Sequence, residues 1–185
     1  MNIAIFGGSF DPVHIGHEMI INQLSHMPGI DTIIVVPTYL NPFKKRYLIK
    51  PEDRFKILHH MCASNPNIEI SDFEIKRNKA TPSILTVEHY KKLYNPKKIY
   101  FVIGSDNLQT LHLWDNFEKL NELVEFIVFN REGYEPKNDT IQFKPINMNI
   151  NISSSSLREK LDLKYIPKKI QKEVTDIWKK ELKES

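Results

Sequence analysis

The sequence predicts an α/β fold in which helices cover both faces of a parallel sheet. Four short apolar runs are continuous rather than alternating, as expected of strands that are buried on both faces. They span residues 3–6, 33–36, 99–103 and 126–129. Helical patterns separate them, and alternation of strands with helices is typical of βαβ units. The predicted architecture is therefore a Rossmann-like, doubly wound sheet with a C-terminal helical segment.

The elements between these strands follow from apolar spacing. Residues 17–27, 52–63 and 86–94 carry apolar side chains at helical intervals, and each segment is predicted to be a helix. A short additional strand is predicted over residues 68–70. Each predicted helix lies between two predicted strands, which is the order that a parallel sheet requires.

The C-terminal part has a different pattern. A serine run over residues 153–156 leads into a helical pattern, and Pro167 begins a last helix whose apolar face includes Ile170, Val174 and Trp178. We expect residues 1–185 to form a single domain, with a C-terminal helical subdomain over about 153–185.

The composition is that of a globular protein. The chain has 185 residues, of which 41% are hydrophobic and 26% charged. No apolar run approaches the ~20 residues of a membrane span, and glycines interrupt the first run, so we expect a cytoplasmic protein without a membrane partner. One cysteine, Cys62, excludes an internal disulfide. The net charge of +3 lies in residues 158–185, whose alternating Lys and Glu residues are typical of a solvated helix surface, so we expect no nucleic-acid partner.

The segment GGSFDPVHIGH, residues 7–17, follows the first predicted strand. Open α/β sheets bind ligands at the carboxyl ends of their strands, and Gly7 and Gly8 would allow unusual backbone angles and close approach of a ligand. The first helix begins near residues 15–17, and its free N–H groups favour phosphate. If the helix has begun at His14, His14 and His17 share a face. The segment therefore predicts a polyphosphate site.

Residues 7–17 lack two familiar nucleotide-binding patterns. They contain neither the GxxxxGK[ST] pattern of a P-loop nor the GxGxxG pattern of dinucleotide-binding folds. Asp11 is the one nearby carboxylate that could complete a metal site with His14 and His17, and no protein-ligated metal is predicted. A purely structural alternative remains, in which Asp11 and Pro12 form a turn and the two histidines cap the helix or pack against neighbouring side chains.

Residues 7–17 resemble the signature of the nucleotidyltransferase α/β-phosphodiester superfamily, whose core [HT]xGH is here residues 14–17. A second motif of that superfamily, ISS[ST]xxR, resembles residues 152–158, with Ser155 where Thr is common. Within the superfamily, nearly the whole chain resembles the bacterial nicotinate-nucleotide adenylyltransferases. Further similarity lies in GSD at residues 104–106, in Trp114, and in the segments 37–54 and 127–134.

The sequence departs from that family at three places. Phe43 stands where the family often has His, and Glu132 replaces the Pro of an RPGY turn. Residues 83–90 lack the usual Tyr and second Thr, and Thr86 aligns with the first Thr only after a one-residue insertion.

The resemblance implies transfer of the adenylyl group of ATP to nicotinate mononucleotide, with Mg²⁺ accompanying ATP. It implies catalytic roles for His14, His17 and Arg158. The implied ATP-binding residues are Gly7, Gly8, Ser9, Phe10, Gly16, Gly104, Asp106, Ser153, Ser154 and Ser155. The implied mononucleotide-binding residues are Lys44, Thr86, Trp114 and Arg131.

The sequence leaves other acceptors and other functions open. The acceptor could be nicotinamide mononucleotide, phosphopantetheine or a cytidylyltransferase substrate, although enzymes acting on phosphopantetheine usually have Thr in place of His14. A non-catalytic nucleotide sensor is the alternative from another class, and the intact His14, His17 and Arg158 argue against it. The sequence leaves open whether the chain forms a homo-oligomer.

Overall fold

A computed structural model of the protein describes residues 1–40, 46–130, 138, 140–148 and 151–184. Within these residues, six strands form one sheet in the order β3-β2-β1-β4-β5-β6, and all neighbouring strands run parallel. The strands are β1 (Asn2–Gly8), β2 (Thr32–Pro37), β3 (Ile68–Ile70), β4 (Lys98–Gly104), β5 (Glu125–Phe129) and β6 (Phe143–Ile146). This order is that of a doubly wound sheet, as the sequence predicts.

Helices connect the strands and cover the sheet. They are α1 (Ile15–Ser25), α2 (Pro51–Cys62), α3 (Phe73–Lys76), α4 (Ser83–Tyr94), α5 (Phe117–Leu123), α6 (Ser154–Glu159) and α7 (Gln171–Glu184). Among the described residues, no helix is both long and apolar enough to cross a membrane.

Two hydrophobic clusters lie on opposite faces of the sheet. Side chains alternate along β1, so that Ala4 and Phe6 enter one cluster and Ile3 and Ile5 enter the other, all at most 2% exposed. The first cluster contains side chains of α1, α2 and α7, and the second contains side chains of α4 and α5. Helices on both faces account for strand sequences that are apolar without alternation.

The C-terminal segment packs on the same face as α1 and α2. Leu157, Ile170 and Val174 are at most 1% exposed and belong to the first cluster. Trp178 is buried as well, so the predicted apolar face of Ile170, Val174 and Trp178 is confirmed, although α7 begins at Gln171 rather than at Pro167 and Ile170 lies in the turn before it. The division of the chain into one domain with a C-terminal subdomain stays a prediction.

Some boundaries differ from the sequence prediction. Helix α1 begins at Ile15, within the predicted range of residues 15–17, whereas α4 begins at Ser83 rather than residue 86. The sequence analysis missed β6, whose two middle residues, Lys144 and Pro145, are exposed. A proline that cannot donate to the ladder is tolerated at the edge of a sheet, and β6 is an edge strand without a continuous apolar run.

Candidate active site

A cavity of about 550 Å³ lies at the carboxyl ends of β1 and β4, where the strand order reverses. Open α/β sheets bind ligands at this position, and the volume is that of a small-molecule site. Twelve of the residues predicted to form the site line the cavity: Gly7, Gly8, Ser9, Phe10, His17, Thr86, Gly104, Asp106, Trp114, Ser153, Ser154 and Ser155.

Five of the predicted site residues do not line the cavity. His14, Gly16 and Arg158 lie beside it, next to residues that line it. Lys44 and Arg131 fall outside the described residues, as does Phe43.

Gly7 and Gly8 lie within β1 and pair with Val36 and Pro37 of β2. The expectation of unusual backbone angles at these glycines is wrong, because Gly29 is the glycine with a positive φ in the described chain. The left-handed residue of this segment is Phe10, with a φ of 49°. Gly7 is nevertheless suited to close approach of a ligand, since a Cβ there would meet no atom within 4 Å.

Two other glycines make room for predicted site residues. A Cβ at Gly104 would lie 2.3 Å from Oδ1 of Asp106, and a Cβ at Gly16 would lie 3.0 Å from the ring of His14. Each glycine therefore allows the side chain of a predicted site residue to lie against the backbone.

The two histidines contact each other, although His14 is not helical. His14 is the residue before α1 and has an extended backbone, so the argument from a shared helix face does not apply. The rings are stacked, with centroids 3.7 Å apart. The backbone N–H of His14 donates to Nδ1 of His17 at 3.1 Å. A neutral His17 therefore carries its proton on Nε2.

The aromatic side chain of Phe10 supports His17. Phe10 is 1% exposed, and its ring packs edge-on against Phe6 and against His17, with centroid separations of 5.4 and 4.7 Å. This burial leaves little of the Phe10 ring for a ligand, so its role here is to fix the position of the histidine ring.

The serine-rich motif at the start of α6 is joined directly to the loop of the first motif. The hydroxyl of Ser154 donates to the carbonyl of Pro12 at 2.9 Å, and Arg158 donates through Nη1 to the carbonyl of Asp11 at 2.8 Å. Nη2 of Arg158 donates to Oγ of Ser155, also at 2.8 Å. Two motifs more than 100 residues apart in sequence therefore form one site.

The serine run provides both the cap and the first turn of α6. The hydroxyl oxygen of Ser153 accepts from the backbone N–H of Ser156, so Ser153 is the N-cap. Ser154, Ser155 and Ser156 form the first turn of the helix. Ser154 is consequently available for its bond to Pro12.

A buried carboxylate and a buried guanidinium hold the loop around the site. Asp11 accepts the backbone N–H groups of Leu48 and Ile49 at 2.9 and 2.7 Å. Arg54 is 1% exposed and donates to four backbone carbonyls, those of Ser9, Thr38, Tyr39 and Ile49. Burial lowers the pKa of Arg54, and these acceptors offset the cost of burying its charge. The sequence reasoning noted Arg54 only through family resemblance.

The cavity is also lined by residues of α3, of α4 and of the segment around Trp114. Trp114 is half-buried and packs edge-on against Phe101, with centroids 6.3 Å apart. The hydroxyl of Thr86 donates to Oε1 of Glu74 at 2.7 Å. The sequence analysis missed Glu74, because a single acidic residue in a four-residue helix gives no local signal of a site.

Three polar atoms in the cavity wall are buried without a hydrogen-bond partner within the described part of the chain. They are Oγ1 of Thr38, Oε2 of Glu74 and Nε1 of Trp114. Buried polar atoms are normally paired, so unmatched ones in a cavity indicate a polar ligand.

No cluster of three or more histidine, cysteine or acidic side chains is arranged to hold a metal ion among the described residues. The carboxylate of Asp11 is already bonded to two backbone N–H groups.

Comparisons with known proteins agree with this geometry. Residues 5–160 match the sequence profile described as cytidylyltransferase-like. A protein from Aliarcobacter butzleri named "Probable nicotinate-nucleotide adenylyltransferase" is 43% identical over 178 residues, covering 96% of this chain and 97% of that protein. A protein of the same name from Campylobacter jejuni is 43% identical over 181 residues, covering 97% and 98%.

Solved structures give the same result. The nicotinic acid mononucleotide adenylyltransferase of Plasmodium falciparum complexed with NaAD superposes with a TM-score of 0.76 at 27% identity, covering 92% of this chain and 95% of that one. The same enzyme complexed with APC superposes with a TM-score of 0.69 at 26% identity, covering 92% and 89%.

Proposed function

Because the chain belongs to the nicotinate-nucleotide adenylyltransferases, within the cytidylyltransferase-like family, we propose that it transfers the adenylyl group of ATP to nicotinate mononucleotide. The products are nicotinate adenine dinucleotide and pyrophosphate. The Plasmodium falciparum relative is complexed with NaAD, which is the dinucleotide that this reaction forms.

One observation carries the proposal. Ser154 and Arg158 of the second motif donate to the carbonyls of Pro12 and Asp11 in the first motif, and Ser154 lines the same cavity as His17. A site that binds a triphosphate must bring donors from several elements to one place, and the topology of the sheet does so here.

The chemistry needs little beyond positioning and charge stabilisation. A phosphate monoester with a second pKa of about 6 is already an anionic nucleophile near neutral pH. Its oxygen forms a bond to the α-phosphorus of ATP, and the bond from that phosphorus to the bridging oxygen of the β-phosphate breaks. Pyrophosphate leaves with the electron pair, so no general base and no covalent intermediate is required.

We assign the α-phosphate to His17. The bond from the backbone of His14 occupies Nδ1, which leaves the proton of a neutral His17 on Nε2. An Nε2–H donor in the cavity can stabilise charge that develops on the α-phosphate. The stacked ring of His14 holds His17 in this orientation.

The planar fork of Arg158 suits the β- and γ-phosphates. Its two terminal nitrogens already donate hydrogen bonds where the two motifs meet, one to the carbonyl of Asp11 and the other to the hydroxyl of Ser155. Guanidinium groups bind phosphate oxygens through two parallel hydrogen bonds. Asp106, at the carboxyl end of β4, is suited to accept hydrogen bonds from the ribose hydroxyls.

Mg²⁺ enters with ATP in this proposal. Mg²⁺ keeps phosphate oxygens and water as most of its ligands, so it would be held mainly by the phosphates of ATP. When bound, it neutralises charge on the phosphates. The protein side chains then orient those phosphates.

The acceptor is assigned to the end of the cavity that contains Trp114 and Thr86. An indole face can stack on a pyridine ring, and the first turn of α4 can receive an anionic ring substituent. Lys44 and Arg131, outside the described residues, are proposed to contact the acceptor phosphate.

The test is the release of pyrophosphate from Mg-ATP with either nicotinate mononucleotide or nicotinamide mononucleotide as acceptor. We expect turnover with the acid form, a lower kcat/KM with the amide form, and loss of both in His17→Ala. The matched control His59→Ala changes an exposed histidine of α2. Absence of turnover with either acceptor, in a folded protein that binds ATP, would favour the nucleotide sensor instead.

A further inference from the structure

Glu74 has no role in the mechanism above, yet its carboxyl group lies in the wall of the cavity. The residue is 5% exposed. Oε1 is hydrogen-bonded to the hydroxyl of Thr86 at 2.7 Å, whereas Oε2 is buried without a hydrogen-bond partner among the described residues. An unmatched carboxyl oxygen beside the proposed acceptor site indicates a polar group on the ligand.

We propose that Glu74 determines specificity by donating a hydrogen bond, as a neutral carboxylic acid, to the carboxylate on the pyridine ring of the acceptor. The inference rests on the proposed function and assigns a donor to one end of the same site. Trp114 and Thr86 line the cavity together with Glu74, so a ring stacked on the indole can bring its substituent to the Glu74–Thr86 pair.

The Glu74–Thr86 pair has a proton to offer the ligand only when the carboxyl group of Glu74 is neutral. The contact between Glu74 and Thr86 uses one proton, whichever oxygen carries it. When Glu74 is ionised, the pair holds only that proton and offers the ligand none. When Glu74 is neutral, the pair holds two protons, and the second is available to an acceptor on the ligand.

The surroundings of Glu74 favour the neutral form near pH 7. Burial raises the pKa of Glu74 to about 7, against opposing contributions from the Thr86 hydroxyl and the Arg77 guanidinium. On the same helix, Lys76 forms an ion pair with Asp72. The preceding Ser71 accepts from the hydroxyl of Tyr90 in α4.

The remaining titratable groups of the cavity wall are His17, Asp106 and Asp115. None of them contributes to the shifted pKa of Glu74, and among the described residues the charged group that shifts this pKa is Arg77. The ionisation of Glu74 is therefore set mainly by its burial.

The two candidate acceptors respond oppositely to this ionisation. A nicotinate carboxylate needs a donor and is repelled by an ionised Glu74. A nicotinamide group carries an NH₂ donor, which an ionised Glu74 can accept. The preference for acid over amide should consequently decrease as the pH rises through about 7.

The experiment measures kcat/KM with nicotinate mononucleotide and with nicotinamide mononucleotide between pH 6 and 9. The ratio of the two values removes the titration of the shared phosphate and of His17, which affect both acceptors alike. For the wild-type protein we expect the ratio to fall on the order of tenfold per pH unit above the pKa of Glu74.

Three variants test the assignment. Glu74→Gln keeps a neutral donor at all pH values, so its ratio should be independent of pH and should favour the acid form. Arg77→Gln removes the charge that lowers the pKa of Glu74, so the fall should move to higher pH. Glu88→Gln, on α4 outside the cavity wall, should leave the wild-type profile unchanged.

A wild-type ratio that does not change with pH would overturn the inference while leaving the proposed function intact. The same conclusion would follow if Glu74→Gln kept the wild-type fall. Failure of the proposed function would look different, since the wild-type protein would then form no dinucleotide from nicotinate mononucleotide at any pH.

Discussion

The backbone N–H of His14 donates to Nδ1 of His17 at 3.1 Å, and this bond sets which ring nitrogen of His17 carries the proton. Because Nδ1 accepts, a neutral ring carries its proton on Nε2 and can donate from there. The roles of the two histidines are therefore unequal. In the proposed mechanism His17 contacts the phosphate, whereas His14 orients His17 through its backbone and through ring stacking.

This inequality predicts different effects of two substitutions at His17. The amide nitrogen of Gln reaches the region of Nε2, whereas that of Asn reaches only the region of Nδ1. Loss of one transition-state donor costs about 10²–10³-fold in kcat, so we expect that loss in His17→Asn and a kcat at least about tenfold higher in His17→Gln. Equal losses in both variants would contradict the assignment of Nε2. His59→Gln is the control.

Phosphate binding at position 158 is predicted to require a planar guanidinium group rather than a positive charge alone. A lysine ammonium cannot maintain the contacts to Asp11 and Ser155 and also present a planar fork to phosphate. We expect Arg158→Lys to lower kcat/KM for Mg-ATP by about tenfold or more, the equivalent of one charged hydrogen bond. Lys160→Ala, at an exposed neighbour, should have no such effect. Unchanged kinetics in Arg158→Lys would remove Arg158 from the phosphate site.

Arg54 is predicted to determine stability through its four carbonyl contacts. An ammonium group cannot reach carbonyls that surround a planar guanidinium, so Arg54→Lys leaves buried acceptors unpaired. We expect the free energy of unfolding in urea to fall by about 2 kcal/mol or more. Arg46→Lys, at an exposed arginine, should change it little. A similar small change in both variants would show that the charge alone suffices at position 54.

Glu74 is predicted to make the stability of the wild-type protein depend on pH. Its pKa is raised from 4.5 to about 7 in the folded state, so the folded state holds the proton more tightly than the unfolded state. The resulting stabilisation is present below pH 4.5 and is lost as the pH rises to about 7. The pKa difference corresponds to about 3 kcal/mol.

Urea unfolding of wild type and Glu74→Gln at pH 5 and pH 8 measures this effect. We expect the wild-type protein to lose about 3 kcal/mol relative to the variant between these pH values. Glu88→Gln should follow the wild type. If the free energies of unfolding of wild type and Glu74→Gln depended on pH in the same way, folding would not raise the pKa of Glu74.

The buried parts of the fold could be predicted because their signal is local. Residues of β1, β2, β4 and β5 are apolar in sequence for the same reason that they are buried in the structure. β6 could not be predicted in this way, since it is held by its neighbour at the sheet edge and exposes Lys144 and Pro145.

The candidate site was predictable where it follows a motif. His17, Gly104 and Ser154 stand at positions that the resemblance indicates, and all three line the cavity. The role of Glu74 was not predictable. It depends on the contact with Thr86, twelve residues away, and on burial that only the tertiary structure reveals. The orientation of His17 likewise depends on a backbone conformation at His14 that no residue spacing specifies.

The most direct test of the adenylyl transfer follows the α-phosphate itself. The purified protein is incubated with nicotinate mononucleotide and with Mg-ATP that carries a radiolabel in either the α- or the γ-phosphate. We expect the α-label to appear in nicotinate adenine dinucleotide and the γ-label in pyrophosphate, and His17→Ala to slow both greatly. Release of the α-label as free AMP, or formation of a dinucleotide that lacks the α-label, would contradict the transfer proposed here.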